Sequence, residues 1–148
     1  MVDANNTVIA ASRNRVEETS DATAHAEIDC IRRASKYLNN WRLNDCTIYS
    51  TLEPCPMCMS ALQAARVKRI VYGAKDLRLG ACGSFVNLVN NCSIDDVKHP
   101  FHTVQVTGGV LADQSSLLLR RFFQVVRRRD LERGWDDPDV DVVCEQVT

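Results

Sequence analysis

From Ile28 onward the apolar side chains Ile28, Ile31, Ala34, Tyr37 and Leu38 recur at intervals of three and four. That spacing gathers them on one side of an α-helix. It predicts an amphipathic helix opening near Thr23, whose hydroxyl is a candidate N-cap. Upstream, residues 7–12 (TVIAAS) are β-branched or small and predict a strand ending near Arg13 and Asn14. Residues 46–51 (CTIYST) predict a second strand. Pro54 and Pro56 punctuate its end, and Pro56 suits the first turn of a helix running to about Arg66. Residues 69–74 (RIVYGA) predict a third strand, and residues 103–109 (TVQVTGG) alternate as a fourth should. A long helix then runs from about Ala112 to Glu132. Its apolar stripe of Leu117, Leu118, Phe122, Val125 and Val126 is expected on the sheet, with Arg120, Arg121 and Arg127 to Arg129 in solvent. Residues 79–84 (LGACGS) predict a Gly-rich turn, and residues 90–102 a loop. Strand, helix, strand, helix, strand with short joints predicts an α/β sheet with parallel neighbours and helices packed on it.

Composition adds the scale. A chain of 148 residues, 45% hydrophobic and 25% charged, predicts one domain with one core, spanning residues 1–134. Residues 135–148 are acidic and without periodicity, and are expected to form a mobile tail. The net charge is −1, but all 18 Lys and Arg lie at or before Arg133. With 14 acidic residues there, the body carries +4, so a locally basic face is expected. The seven cysteines are odd in number and irregular in spacing apart from one C-x-x-C, which argues against a disulfide framework and for a reducing compartment. No stretch approaches the roughly 18 apolar residues of a membrane span, and residues 1–10 resemble no targeting segment. The expectation is a soluble, cytoplasmic protein with no membrane partner, a plastid or other organelle being the alternative.

The candidate chemistry lies in TAHAEIDC, residues 23–30, and PCPMC, residues 54–58. Cys55 and Cys58, three apart at a helix start, share one face. His25 and Glu27 are two apart, which in mid-helix would set them about 200° apart, so they converge only from an open first turn. Two helix starts facing each other would then join His25 with Cys55 and Cys58. Three such ligands suit a tetrahedral Zn²⁺ whose fourth position is left to water. Glu27 is the candidate proton carrier beside that water. A redox pair is the alternative for an isolated C-x-x-C, and a closed structural zinc site would need a fourth protein ligand, for which Cys30 is the nearby candidate. Cys46, Cys82, Cys92 and Cys144 are expected to be packing or exposed residues.

The order H-x-E…P-C-x-x-C is the signature of zinc nucleobase deaminases. SRNRV, DATAHAEI, TLEPCPMC, RIVYGAKD, LGACGS, HPFH, GGVLAD and RRFFQVVRRR follow in the order found in the TadA-type tRNA adenosine deaminases, which the chain resembles from Asn6 to about Arg129, the HPFH and RRFFQ stretches being most like those of plastid-type members. The resemblance implies the cytidine deaminase-like α/β/α fold of three layers around a central mixed sheet, here without the family's usual first helix and strand. It implies a homodimer that binds a tRNA anticodon stem-loop, converts wobble adenosine to inosine and holds one Zn²⁺ per chain. It carries the zinc ligands onto His25, Cys55 and Cys58, and the proton shuttle onto Glu27. It carries substrate contacts onto Asn14, Ala24, Lys75, Asp76, Phe122 and Phe123. Without it, Asn14 reads as a turn residue, Lys75 and Asp76 as a solvated turn, and both phenylalanines as core. Residues 90–99 are longer than in short bacterial members, and Gln114 stands where the family commonly has an acidic residue.

Two other functions fit the same chemistry. One is a zinc deaminase of free nucleobases or nucleosides, or of cytosine in single-stranded nucleic acid. The other is a non-catalytic, zinc-stabilised binding subunit.

Overall fold

The computed structural model describes residues 1–89 and 102–132. In chain order these form α1 (Val16–Thr19), α2 (Ala26–Tyr37), β1 (Thr47–Leu52), α3 (Pro56–Ala64), β2 (Arg69–Ala74), β3 (Gln105–Thr107) and α4 (Ala112–Glu132). The strands form one sheet in the order β1-β2-β3, and both pairings are parallel. Thr47 stands opposite Arg69, and Arg69 opposite Gln105.

One face of the sheet carries α2 and α3. Ile48, Ile70 and Tyr72 from the strands meet Cys30 and Ala34 of α2 and Met59 and Leu62 of α3 in the buried cluster. Burial of each large aliphatic side chain here is worth about 1.5–3 kcal/mol. The opposite face carries α4, which packs on β1 and β2. Gly73 permits that approach, because a Cβ there would collide with the Ser115 side chain of α4 and with the Thr51 carbonyl. The architecture is therefore helix, sheet, helix.

The long apolar stripe of α4 is rotated from its expected position. Ala112, Ser115, Ser116, Leu119, Phe123 and Val126 are its half-buried residues, whereas Leu117, Leu118, Phe122 and Val125 are exposed. The small Ala112, Ser115 and Ser116 set this rotation, since they admit the closest contact with the strands. Arg120, Arg121 and Arg128 are exposed, as expected.

The first predicted strand, residues 7–12, is extended but makes one isolated antiparallel bridge, Val2 to Val8. Val2 also bridges Thr47 antiparallel, so this arm adds the mixed character to a sheet that is otherwise parallel. The turn between the arms lies at Ala4 and Asn5, and the Asn6 amide closes it on the Asp3 carbonyl at 3.1 Å. The Asp3 carboxylate accepts the Asn5 and Thr7 amides there, and Asn6 takes a left-handed φ of 61°. α3 stops before Arg66 because that residue is left-handed too, with φ 58°. The short α1 has no counterpart in the predicted pattern. No described helix is long and apolar enough to cross a membrane. The expected acidic tail, the HPF of HPFH, Cys92 and Cys144 lie outside the described residues.

Candidate active site

The parallel order of β1 and β2 puts the loops that follow them at one edge of the sheet, the usual place for a site in an α/β fold. α3 begins immediately after β1. Cys55 is its N-cap, with φ −72° and ψ 170°, Pro56 follows in the first turn, and Cys58 lies one turn in. α2 opens in the same way. Its N-cap is His25, extended at φ −72° and ψ 153°, and not Thr23. The Thr23 hydroxyl instead donates to Asp21 at 2.7 Å, which also accepts the Thr23 amide. The helix therefore starts two residues later than its capping chemistry predicts. An N-cap side chain is free of the helical 100° step, which is how His25 and Glu27 reach one point.

His25 Nδ1 lies 3.6 Å from Cys55 Sγ and 3.5 Å from Cys58 Sγ. The three ligand atoms all fall within 4.8 Å of one another. A tetrahedral ion with metal–sulfur bonds of about 2.3 Å and metal–nitrogen bonds of about 2.0 Å sets its sulfur and nitrogen donors about 3.5 Å apart. The donors present fit zinc in type and in spacing. Among the described residues this cluster has three members. Cys30 does not join it and is packed in the core with Cys46, burial pushing both thiols up.

Glu27 stands beside the donors. Its Oε2 is 3.5 Å from Cys58 Sγ, and the Ser50 hydroxyl points at its Oε1 from 3.5 Å. The two cysteines interact directly. A hydrogen bond from Cys58 holds the Cys55 thiol down to about 6 against the opposing effect of burial. Cys58, which donates that bond, is pushed up by it, by its burial and by the neighbouring Glu27. His25 adds to the lowering of Cys55.

A model of the MafB19-like deaminase family matches residues 1–115. Over 130 residues the sequence is 43% identical to the tRNA-specific adenosine deaminase of Haemophilus influenzae, covering 88% of this chain and 70% of that one. The chain belongs to this deaminase family. A chloroplastic tRNA(adenine(34)) deaminase of Arabidopsis thaliana is 45% identical over 128 residues, which is 80% of this chain but 10% of that longer protein. A solved structure from work on A-to-I editing by tRNA:A34 deaminases superposes with a TM-score of 0.67 at 38% identity, covering 78% of each chain. These likenesses agree with the helix–sheet–helix layering and make the fold cytidine deaminase-like.

The remaining predicted residues of this deaminase are placed unevenly. Asn14 is exposed, its Oδ1 accepts the Val16 amide at 3.0 Å, and the next residue, Arg15, donates its amide to the Ala24 carbonyl at 2.9 Å. Asn14 and the buried Ala24 are thereby tied to the segment entering His25. Lys75 is exposed and Asp76 half-buried, on the loop leaving β2. Phe122 and Phe123 lie on α4, across the sheet from the helices that bear the cluster. Their rings meet edge to face, centroids 5.4 Å apart, with Phe122 60% exposed and Phe123 half-buried. Two further residues near the site, Ser50 and Glu53, stand outside the sequence motifs' candidate set. Ser50 reads in the sequence as an ordinary strand position. Glu53 sits inside TLEPC, where a carboxylate at a strand end before Pro-Cys was the available signal.

Proposed function

We propose that this deaminase converts adenosine to inosine at the wobble position of a tRNA anticodon loop. In this reading His25, Cys55 and Cys58 hold one zinc ion and Glu27 carries the proton. The observation that carries it is the Glu27 carboxylate set against a three-donor cluster of the right type and spacing, in a chain so similar to named tRNA deaminases.

A zinc ion, when bound, supplies the positive charge that makes a water nucleophilic near neutral pH. Glu27, 3.5 Å from the nearest cysteine sulfur, is placed to accept the proton that water gives up on attacking C6 of adenine. It then delivers the proton to the exocyclic nitrogen, which leaves as ammonia when the C6–N bond breaks. Asn14 and Ala24 line the entry beside His25 for the base, while Lys75 and Asp76 meet the loop around it. An anticodon loop suits such a site, since an unpaired base is extruded at low cost. Phe122, exposed on the arginine-bearing face of α4, offers a stacking ring for a flanking nucleotide. The same reading has the protein acting as a homodimer, in the cytoplasm or in an organelle, the Arabidopsis thaliana relative being named chloroplastic.

The test is zinc content together with inosine formation on an anticodon stem-loop bearing adenosine at the wobble position, for wild type and Glu27→Ala. Zinc in both and inosine from wild type alone is the expected result. Turnover of free guanine, cytosine or cytidine without inosine in RNA would move the substrate to free bases and nucleosides. No turnover by wild type on RNA or free bases, with stem-loop binding unchanged in Glu27→Ala, would make the chain a binding subunit.

A further inference from the structure

Glu53 is 2% exposed, the one buried carboxylate among the described residues. A carboxyl taken out of water is costly unless its oxygens find donors. Here all three are backbone amides. Oε1 accepts Cys82 N at 2.8 Å and Ser84 N at 3.2 Å, and Oε2 accepts Asp76 N at 3.1 Å. No lysine, arginine or histidine side chain pairs with it among the described residues. The residue's own amide donates to Ala74 at 2.9 Å, and the next residue, Pro54, accepts the amide of Ala81 at 2.9 Å.

Residues 75–84 are thus wound around a single carboxylate and fastened at both ends. Gly80 sits in the bend, where a Cβ would collide with the Glu53 carboxylate and the Asp76 carbonyl. The buried Tyr72 and the half-buried Cys82 lie near the same carboxylate. Each is pushed up to about 12, first by burial and then by Glu53. An apolar side chain of equal volume would fill the space and would hold none of these amides. The geometry serves to fix a loop relative to the strand end, and two residues beyond Glu53 that strand end becomes Cys55.

We propose that Glu53 is a positioning residue for the substrate, clamping residues 75–84 so that Lys75 and Asp76 meet the RNA at a set distance from Cys55 and Glu27. The proposal rests on the RNA-deaminase reading above. Glu53→Gln keeps the size and turns an NH₂ donor toward amides that are themselves donors. The measurements are zinc content, hydrogen exchange at Asp76, Cys82 and Ser84, and kcat and KM on the anticodon stem-loop. The expected result is retained zinc, exchange at those amides at least tenfold faster, KM raised at least fivefold, and kcat within threefold of wild type.

Unchanged KM despite loosened amides would make Glu53 a purely structural residue and overturn the proposal. Loss of zinc with kcat would overturn it as well, placing the clamp's effect on α3 instead of the loop. Should Glu53→Gln fail to fold, Gly80→Ala presses on the same carboxylate with Glu53 intact and is expected to raise KM in the same way. A wild type that makes no inosine sinks the proposed function, whereas unchanged exchange in Glu53→Gln sinks the clamp whatever the substrate.

Discussion

His25 and Cys55 occupy equivalent positions on two different helices. Each is the N-cap, each has an extended backbone with φ of −72°, and neither spends its side chain on capping the helix it opens. The usual N-cap residue turns an oxygen back onto the first amides. These two turn a nitrogen and a sulfur outward, toward each other, at 3.6 Å. The helices give up cap hydrogen bonds, worth about 1 kcal/mol each, and present metal donors instead.

Metal removal is therefore expected to lower the stability of the fold as well as to abolish activity. Exhaustive chelation should lower the Tm, and stoichiometric Zn²⁺ should restore it, because an ion that binds the native donors stabilises the native state by mass action. Cys55→Ser should lower zinc content with little change in the metal-free Tm, since Cys55 is half-exposed. Cys58→Ser should lower both, because it places a hydroxyl where a fully buried sulfur stood. Metal analysis and thermal unfolding check all three.

Glu27→Gln should retain zinc and lose turnover by about 10²–10⁴-fold, the range expected when a positioned acid–base group is removed. Metal content and single-turnover inosine formation separate the two effects.

Phe122 and Phe123 should respond differently to alanine. Phe122→Ala, at an exposed ring, is expected to leave the Tm near wild type and to weaken stem-loop binding, base stacking on an aromatic being worth about 1–3 kcal/mol. Phe123→Ala is expected to cost about 2 kcal/mol of stability, less than a fully buried phenylalanine would. Paired melting and binding titrations decide between them.

Gly73→Ala should destabilise the protein by about 1–3 kcal/mol, the usual cost of forcing a methyl group into a packed contact. The Ser115 side chain and the Thr51 carbonyl leave no room for it. Denaturant unfolding would show the midpoint falling at unchanged slope.

Asp29 gives the fold a pH dependence. The Ser12 hydroxyl donates to it at 2.5 Å and holds its carboxyl below the usual range, with Arg33 adding to the effect. A carboxyl depressed in the folded state stabilises it above the unfolded pKa of about 3.9, and that stability is lost as the pH falls below this value. Ser12→Ala should therefore lower the Tm at pH 7, and the difference from wild type should shrink toward pH 3.

Much of this was legible in the sequence, for identifiable reasons. RIVYGA gave β2 at its observed limits because a continuous apolar run suits a strand covered on both faces. The convergence of His25 with Glu27 was legible because the 100° step of a helix forbids it anywhere but at an open end. The cap itself was misplaced at Thr23, because a threonine hydroxyl is the better capping group by local preference and tertiary placement of His25 overrode it. The stripe of α4 was misread for a similar reason. Hydrophobicity selected Leu118 and Phe122, whereas close approach to Gly73 selected Ser115. Glu53 went unread because a carboxylate satisfied wholly by distant backbone amides leaves no side-chain partner in the sequence to find.

The placement of both donors at helix beginnings bears on how the molecule breathes. Helices fray from ends that lack tertiary contacts, and α2 terminates at an exposed Tyr37 followed by an exposed Leu38. The end of α3 is held instead, with Leu62 and Gln63 buried and the Ala65 carbonyl accepting the Leu43 amide. Fraying of α2 from Tyr37 consumes the turn farthest from His25, so the softest part of that helix and the part that must stay still lie at opposite ends.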